Sequence, residues 1–367
     1  MIRHADHFHG SDLEKIEKIY GIKKEEITSF SANVNPLGLS GRLKQELAER
    51  LDVITSYPDR EYTALRTIIA EYCDTIKENV IVGNGSTELI SLFINTIHPK
   101  KALIIGPTYS EYEREVSLGG GISLYFPLKE EENFLLSFDR LKNQLNESID
   151  LLILCNPNNP TSTAVTRKEL RRICDLCKQH GTFVMVDETY IEFADDFEAI
   201  NGIPLTNYYN NLIILRGIAK FFASPGLRLG YAITGNKDTV KAINARQNPW
   251  TINSVAEAAG KLLFTDSEYI KATKELISSE RRRICRRLDS IDGLTYYKPS
   301  ANFVLVRILK EGVNADTLFD MAIRKHMMIR NCSTFPFLDN MYFRFCFMSP
   351  EMNDKLLDCI EEALKNI

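Results

Sequence analysis

The chain has 367 residues, 44% hydrophobic and 26% charged, and its 45 lysines and arginines against 49 acids leave a net charge of -4. That length allows two or three units at the usual ~150 residues per domain and a sizeable core. The composition excludes a disordered chain, and the balanced charge gives no general pull toward nucleic acid or an anionic membrane.

In chain order, the first ten residues hold His4, His7 and His9 but no apolar stretch, so they read as a polar arm, not as a secretory signal or a metal clasp. No apolar run approaches the ~20 residues that cross a bilayer, and eight scattered cysteines read as reduced thiols, so the cytoplasm is expected. Residues 30–58 are studded with Asn-Pro and Tyr-Pro turns. From 79 to 233 a short β-branched run, a turn and an amphipathic stretch recur, which predicts a largely parallel sheet covered by helices. Its strands are expected at 79–82, 102–105, 151–155, 182–186, 212–215 and 230–234, buried on both faces because they are continuously apolar. Residues 252–287 read as one long helix, then strands at 303–306 and 342–347 and a final helix at 352–364 mark a change of grammar. The expected division is an N-terminal arm, 1–44, packing with the small domain, a large domain, 45–250, and a small α+β domain, 251–367.

Ligands of open α/β sheets bind beyond the carboxyl ends of the strands, and five runs end there in polar groups. The first enters Gly83-Asn84-Gly85-Ser86-Thr87-Glu88, a helix start that suits an anion such as phosphate or, equally, ordinary capping. Gly106-Pro107-Thr108-Tyr109 puts an aromatic ring at the rim, and Asn156-Pro157-Asn158-Asn159-Pro160 gathers amides in one turn. Asp187-Glu188-Thr189-Tyr190 sets a carboxylate at a buried strand end, where it needs a cation or strong donors. Lys220 in Arg216-Gly217-Ile218-Ala219-Lys220-Phe221-Phe222 lies among apolar residues that favour the neutral, nucleophilic amine. Each feature has a plain structural reading. Together with Arg228 they describe one ligand, pyridoxal phosphate, which needs an anion cradle, a stacking ring, donors, an acid and a lysine.

Here the sequence resembles the class I/II aminotransferase family, the fold type I enzymes of pyridoxal phosphate, from Phe30 to the C-terminal helix. The resemblance implies an α/β fold with a large domain, whose mostly parallel central sheet is flanked by helices, plus a smaller α+β domain. It also implies that Lys220 bonds the cofactor aldehyde, that Asp187 pairs with the ring nitrogen, and that Asn159 and Tyr190 bind the ring oxygen. Tyr109 would stack on the ring, with Ser86, Thr87 and Arg228 on the phosphate. In Ser56-Tyr57-Pro58-Asp59, Tyr57 matches a tyrosine donated to the neighbour's cofactor in a homodimer, and Arg344 in Tyr342-Phe343-Arg344-Phe345 matches the arginine that grips a substrate carboxylate.

The edges look like the threonine-phosphate decarboxylase branch and its histidinol-phosphate aminotransferase neighbour. His9-Gly10, the run from Phe30 to Gly38, Glu111-Tyr112-Glu113-Arg114 and the stretch from Ile329 to Phe335 carry that likeness. Arg330, His9 and Asn33 are therefore candidates for a substrate phosphate, and decarboxylation of L-threonine O-3-phosphate is the expected reaction, with transamination of histidinol phosphate or another phosphorylated amine as the alternative. The chain departs from the family where Gly217 and Ala219 replace hydroxyl residues before the lysine, where Ser162 replaces a turn glycine, and where Ser11-Asp12 follow His9-Gly10. A non-catalytic binding module that keeps the fold is the reading from another class. A zinc site at Cys174, Cys177 and His180 is disfavoured because the cysteines fall at helical spacing on a core face. No dinucleotide or P-loop fingerprint is present.

Overall fold

A computed structural model describes residues 12–365. The recurrent apolar runs form a seven-stranded sheet from β1 (Val80–Gly83), β2 (Lys101–Gly106), β3 (Ile122–Pro127), β4 (Leu151–Cys155), β5 (Phe183–Asp187), β6 (Leu212–Gly217) and β7 (Gly230–Ile233). Their order is β1-β7-β6-β5-β4-β2-β3, and β7 alone runs antiparallel to its two neighbours. Alternate side chains enter two cores. Ile81, Ile104, Ile153, Met185 and Ile213 pack on one face, whereas Val82, Ile105, Leu152, Val184 and Ile214 pack on the other. Burial on both faces is what a parallel sheet between helices demands. The first face is covered in part by α1 (Gly85–Ile97) and α2 (Glu111–Leu118), and the second in part by α3 (Arg167–Gln179), whose Cys174 and Cys177 point into that core.

Two expectations are corrected. Strand β3 was not anticipated because it is an edge strand, half-exposed and without a continuous apolar run, with Ile122 and Leu124 open to solvent. The single helix over 252–287 is two, α4 (Ser254–Leu263) and α5 (Ser267–Asp289). The first closes at Phe264 and Asp266 starts the second: its carboxylate accepts from Tyr269 N at 3.2 Å, as an N-cap does, and from Ser40 Oγ.

A second sheet, wholly antiparallel, has the order β10-β11-β9-β8, built from β8 (Leu294–Tyr296), β9 (Phe303–Ile308), β10 (Arg330–Asn331) and β11 (Tyr342–Cys346). It packs with α5 and the last helix, α6 (Pro350–Lys365). Thr28–Ser29 pairs in parallel with Met327–Met328, and Phe30 O accepts from Cys346 N at 2.8 Å, so residues 28–35 lie along this second sheet before reaching the first. Among the described residues no helix is long and apolar enough to cross a membrane, and no group of potential metal ligands is assembled.

Candidate active site

The carboxyl ends of β1, β2, β4, β5 and β6 and the edge of the second sheet enclose a cavity of about 340 Å³. Its lining includes Ser86, Thr87, Tyr109, Asn159, Asp187, Tyr190, Lys220 and Arg228 from the large sheet's loops, and Asn33, Arg330 and Arg344 from the other side. Two candidates are not among these lining residues. Tyr57 stands 79% exposed against Trp250, ring centres 4.7 Å apart, and His9 lies outside the described residues.

Lys220 follows β6, and its Nζ donates to Ala32 O at 2.7 Å. Burial, then the neighbouring Arg344, lowers its pKa to about 8, bringing the neutral amine within reach near physiological pH. Asp187 closes β5. Its Oδ2 accepts from Tyr112 OH at 2.7 Å, and its Oδ1 from Thr189 N at 3.0 Å and from Thr189 Oγ1. Burial raises the Asp187 pKa, and these three donors oppose that rise. Tyr112 and Thr189 were not singled out from sequence. The signal available was the three-residue step from Tyr109 to Tyr112, which brings both tyrosines to one end of α2, rings edge to face at 5.7 Å.

Of the three asparagines after β4, only Asn159 faces the cavity. Asn156 exchanges both its amide groups with the Val165 backbone, and Asn158 donates to Pro107 O and Thr161 Oγ1, which is turn architecture. Asn159 Oδ1 accepts from Arg344 Nη1, and Arg344 Nη2 donates to Ser31 O at 2.6 Å. The Arg344 guanidinium lies over Phe303 at 5.2 Å, and Phe303 meets the Tyr190 ring edge to face.

Arg330 is directly opposite Arg344 in the antiparallel pairing of β10 with β11. Like charges so placed repel, and the Arg330 pKa falls to about 10 through burial first and Arg344 second. Around this pair, Ser31 Oγ, Asn33 Oδ1 and Arg344 Nε are buried without a hydrogen-bond partner among the described residues. Unpaired polar atoms of this kind are costly and call for a ligand. At the far end, Gly85 has φ +78°, and a Cβ there would come within 2.3 Å of Arg228 Nη2. The glycine thus lets a guanidinium close on the first turn of α1, where backbone N–H groups are free. Cation, helix start, buried carboxylate, amine and rim tyrosine fit the parts of pyridoxal phosphate. Gly217 and Ala219 bring no hydroxyl to that end, while Ser86 Oγ is 3.7 Å from where a Gly217 Cβ would be.

Comparison with known proteins agrees. The family described as aminotransferase class I and II matches residues 25–360. A provisional threonine-phosphate decarboxylase of Caldanaerobacter subterraneus is 38% identical, covering 92% of this chain and 89% of the relative. The threonine-phosphate decarboxylase of Salmonella typhimurium is 31% identical over 98% of this chain and 97% of its own. The crystal structure of the histidinol-phosphate aminotransferase from Clostridium acetobutylicum superposes with a TM-score of 0.86 at 31% identity, covering 92% of this chain and 99% of that one. The binding-module alternative is thereby set aside: the chain belongs to the class I and II aminotransferase family and is a pyridoxal-phosphate-dependent enzyme.

Proposed function

We propose that the enzyme acts on a small phosphorylated amino acid or amine, and that its reaction is removal of the carboxyl group of L-threonine O-3-phosphate. The observation that carries this reading is the pair Arg330 and Arg344, face to face across two strands at the edge of the cavity that holds Lys220 and Asp187. A substrate with two anionic groups offsets a repulsion that the fold otherwise bears alone. Two of the relatives above carry the name threonine-phosphate decarboxylase, one of them provisionally.

Bound pyridoxal phosphate supplies an electron sink for the bond that breaks at the substrate's α-carbon. Lys220 would hold its aldehyde, Asp187 its ring nitrogen, Asn159 and Tyr190 its ring oxygen, and Tyr109 its ring face, with Ser86, Thr87 and Arg228 on its phosphate. Tyr57 of a second copy would complete that phosphate site, since its ring, resting on Trp250, stays exposed to a neighbour. Asp187, with Tyr112 and Thr189 donating to its oxygens and so opposing the effect of burial, would pair with that ring nitrogen. Arg344 binds the substrate carboxylate. Arg330 and Asn33 would bind the substrate phosphate and, with Arg344, fix the substrate's orientation, which selects the bond at the α-carbon that breaks.

A second reading, transamination of histidinol phosphate or another phosphorylated amine, is favoured by one observation. Lys220, with a pKa near 8, is suited to take and return the α-proton. Incubating the cofactor-loaded protein with L-threonine O-3-phosphate, without any keto acid, and following carbon dioxide separates the two. Release is expected. Silence, with turnover of histidinol phosphate only when a keto acid is added, moves the assignment to the transaminase.

A further inference from the structure

The turn that carries Asn159 into the cavity carries Ser162 on its other side. Ser162 is fully buried at φ +60°, a backbone region that a residue with a Cβ rarely adopts. Three hydrogen bonds hold it there. Its N–H donates to Asn158 O at 2.7 Å, its carbonyl accepts from Ser300 N at 2.8 Å, and its hydroxyl accepts from Ala301 N at 3.0 Å.

Ala301 is also fully buried, so its amide depends on that hydroxyl. Residues 301–303 form a junction. Ala301 O accepts from Arg281 of α5, Asn302 Nδ2 donates to Asn33 O at 3.0 Å, and Phe303 is the ring beneath Arg344. Two routes from Ser162 therefore converge on one guanidinium. One runs three residues back to Asn159, whose Oδ1 accepts from Arg344, and the other runs across the hydroxyl bond to Phe303.

We propose that Ser162 is a positioning residue that fixes Arg344 for a carboxylate, by locking the Asn159 turn of the large sheet to the residues that lead into β9, Ser300 and Ala301. Glycine at this position satisfies the backbone angle but leaves the Ala301 amide without its acceptor. The hydroxyl thus does in this chain something that a turn glycine cannot. The inference rests on the reading of Arg344 as the carboxylate's partner, and its effect falls on carboxylate-bearing reactants alone.

The test uses the cofactor-loaded enzyme with Ser162→Gly, Ser162→Ala and, as a reference, Arg344→Gln. It measures KM for the carboxylate-bearing reactant, which is L-threonine O-3-phosphate in carbon dioxide release or 2-oxoglutarate in transamination. Alongside, it measures inhibition by 1-amino-2-propanol O-2-phosphate, which has no carboxylate. Ser162→Gly is expected to raise that KM roughly fivefold, as loss of one buried hydrogen bond would, while kcat and the inhibition constant stay unchanged. Ser162→Ala should show the same rise with a lower melting temperature, because it keeps the strained angle without the bond. An unchanged KM in Ser162→Gly, or an equal rise in KM and inhibition constant, overturns the inference. If Arg344→Gln also leaves KM unchanged, the fault lies in the carboxylate assignment. If it raises KM and Ser162→Gly does not, the fault lies with Ser162 alone.

Discussion

The two sides of the cavity hold charge by opposite means. On the large-sheet side, Asp187 is buried but carries donors on both oxygens, Tyr112 to one and Thr189 to the other, and it is complete before any ligand arrives. On the small-sheet side, two arginines face each other, and Ser31 Oγ, Asn33 Oδ1 and Arg344 Nε have no hydrogen-bond partner among the described residues. The first arrangement resembles a fixed electrode and the second a socket. A self-sufficient carboxylate suits a group that stays, whereas a repelling pair with unused donors suits an anion that comes and goes.

The largest effect that would break this contrast is at Lys220. Lys220→Ala should remove the visible absorbance of the cofactor-loaded protein and all turnover while the fold remains, since among the described residues the side chain's one hydrogen bond is to the Ala32 carbonyl. Retention of colour and rate in purified variant protein sinks the cofactor assignment. Next comes Arg344→Gln, which removes the guanidinium facing Arg330. It should raise KM for the carboxylate-bearing reactant by about 100-fold, the worth of a charge-assisted, two-point contact. The same change has a second sign to check. Arg344 disfavours the Lys220 ammonium, so its removal should move the Lys220 pKa upward from about 8. The pH at which the cofactor-free protein's lysine becomes reactive toward an amine reagent should rise accordingly, and a fall would show that burial changed instead.

The socket was less legible in sequence than the electrode, for a physical reason. Asp187, Lys220, Asn159, Tyr109 and Ser86 each follow a continuous apolar run within five residues, and a parallel sheet brings all such ends to one edge. Local pattern therefore determines their meeting. Arg330 and Arg344 could be named one by one, but their direct opposition depends on the register of β10 with β11, which is set by the intervening turn and not by either strand. Thr28–Ser29 reaches Met327–Met328 across nearly 300 residues, a pairing that no periodicity announces. The break between α4 and α5 was masked because Thr265-Asp266-Ser267 sits between two apolar-faced stretches of similar period, and only the cap at Asp266 distinguishes two helices from one. In the Asn156 turn, composition alone left three amides equivalent. Packing assigns two to the turn and one to the cavity.

The smallest expected effect sharpens the electrode side. Tyr112→Phe deletes the donor on Asp187 Oδ2 and leaves the Thr189 pair on Oδ1. Tyr112 is fully buried, so a phenylalanine fills nearly the same space, and the change is electrostatic more than steric. A hydrogen bond to the anion lowers a carboxyl pKa, and burial already raises that of Asp187, so its loss shifts the pKa further up. More Asp187 is then protonated at any given acidic pH, and the acid limb of the kcat profile moves toward neutrality. At pH 8 the rate should fall no more than roughly threefold, with a growing deficit as pH drops, since one neutral donor to a charged acceptor is worth about 1 kcal/mol or a little more. A deficit of constant size at every pH would instead mean that Tyr112 only packs α2 against β5, and that Thr189 alone keeps the carboxylate ionised.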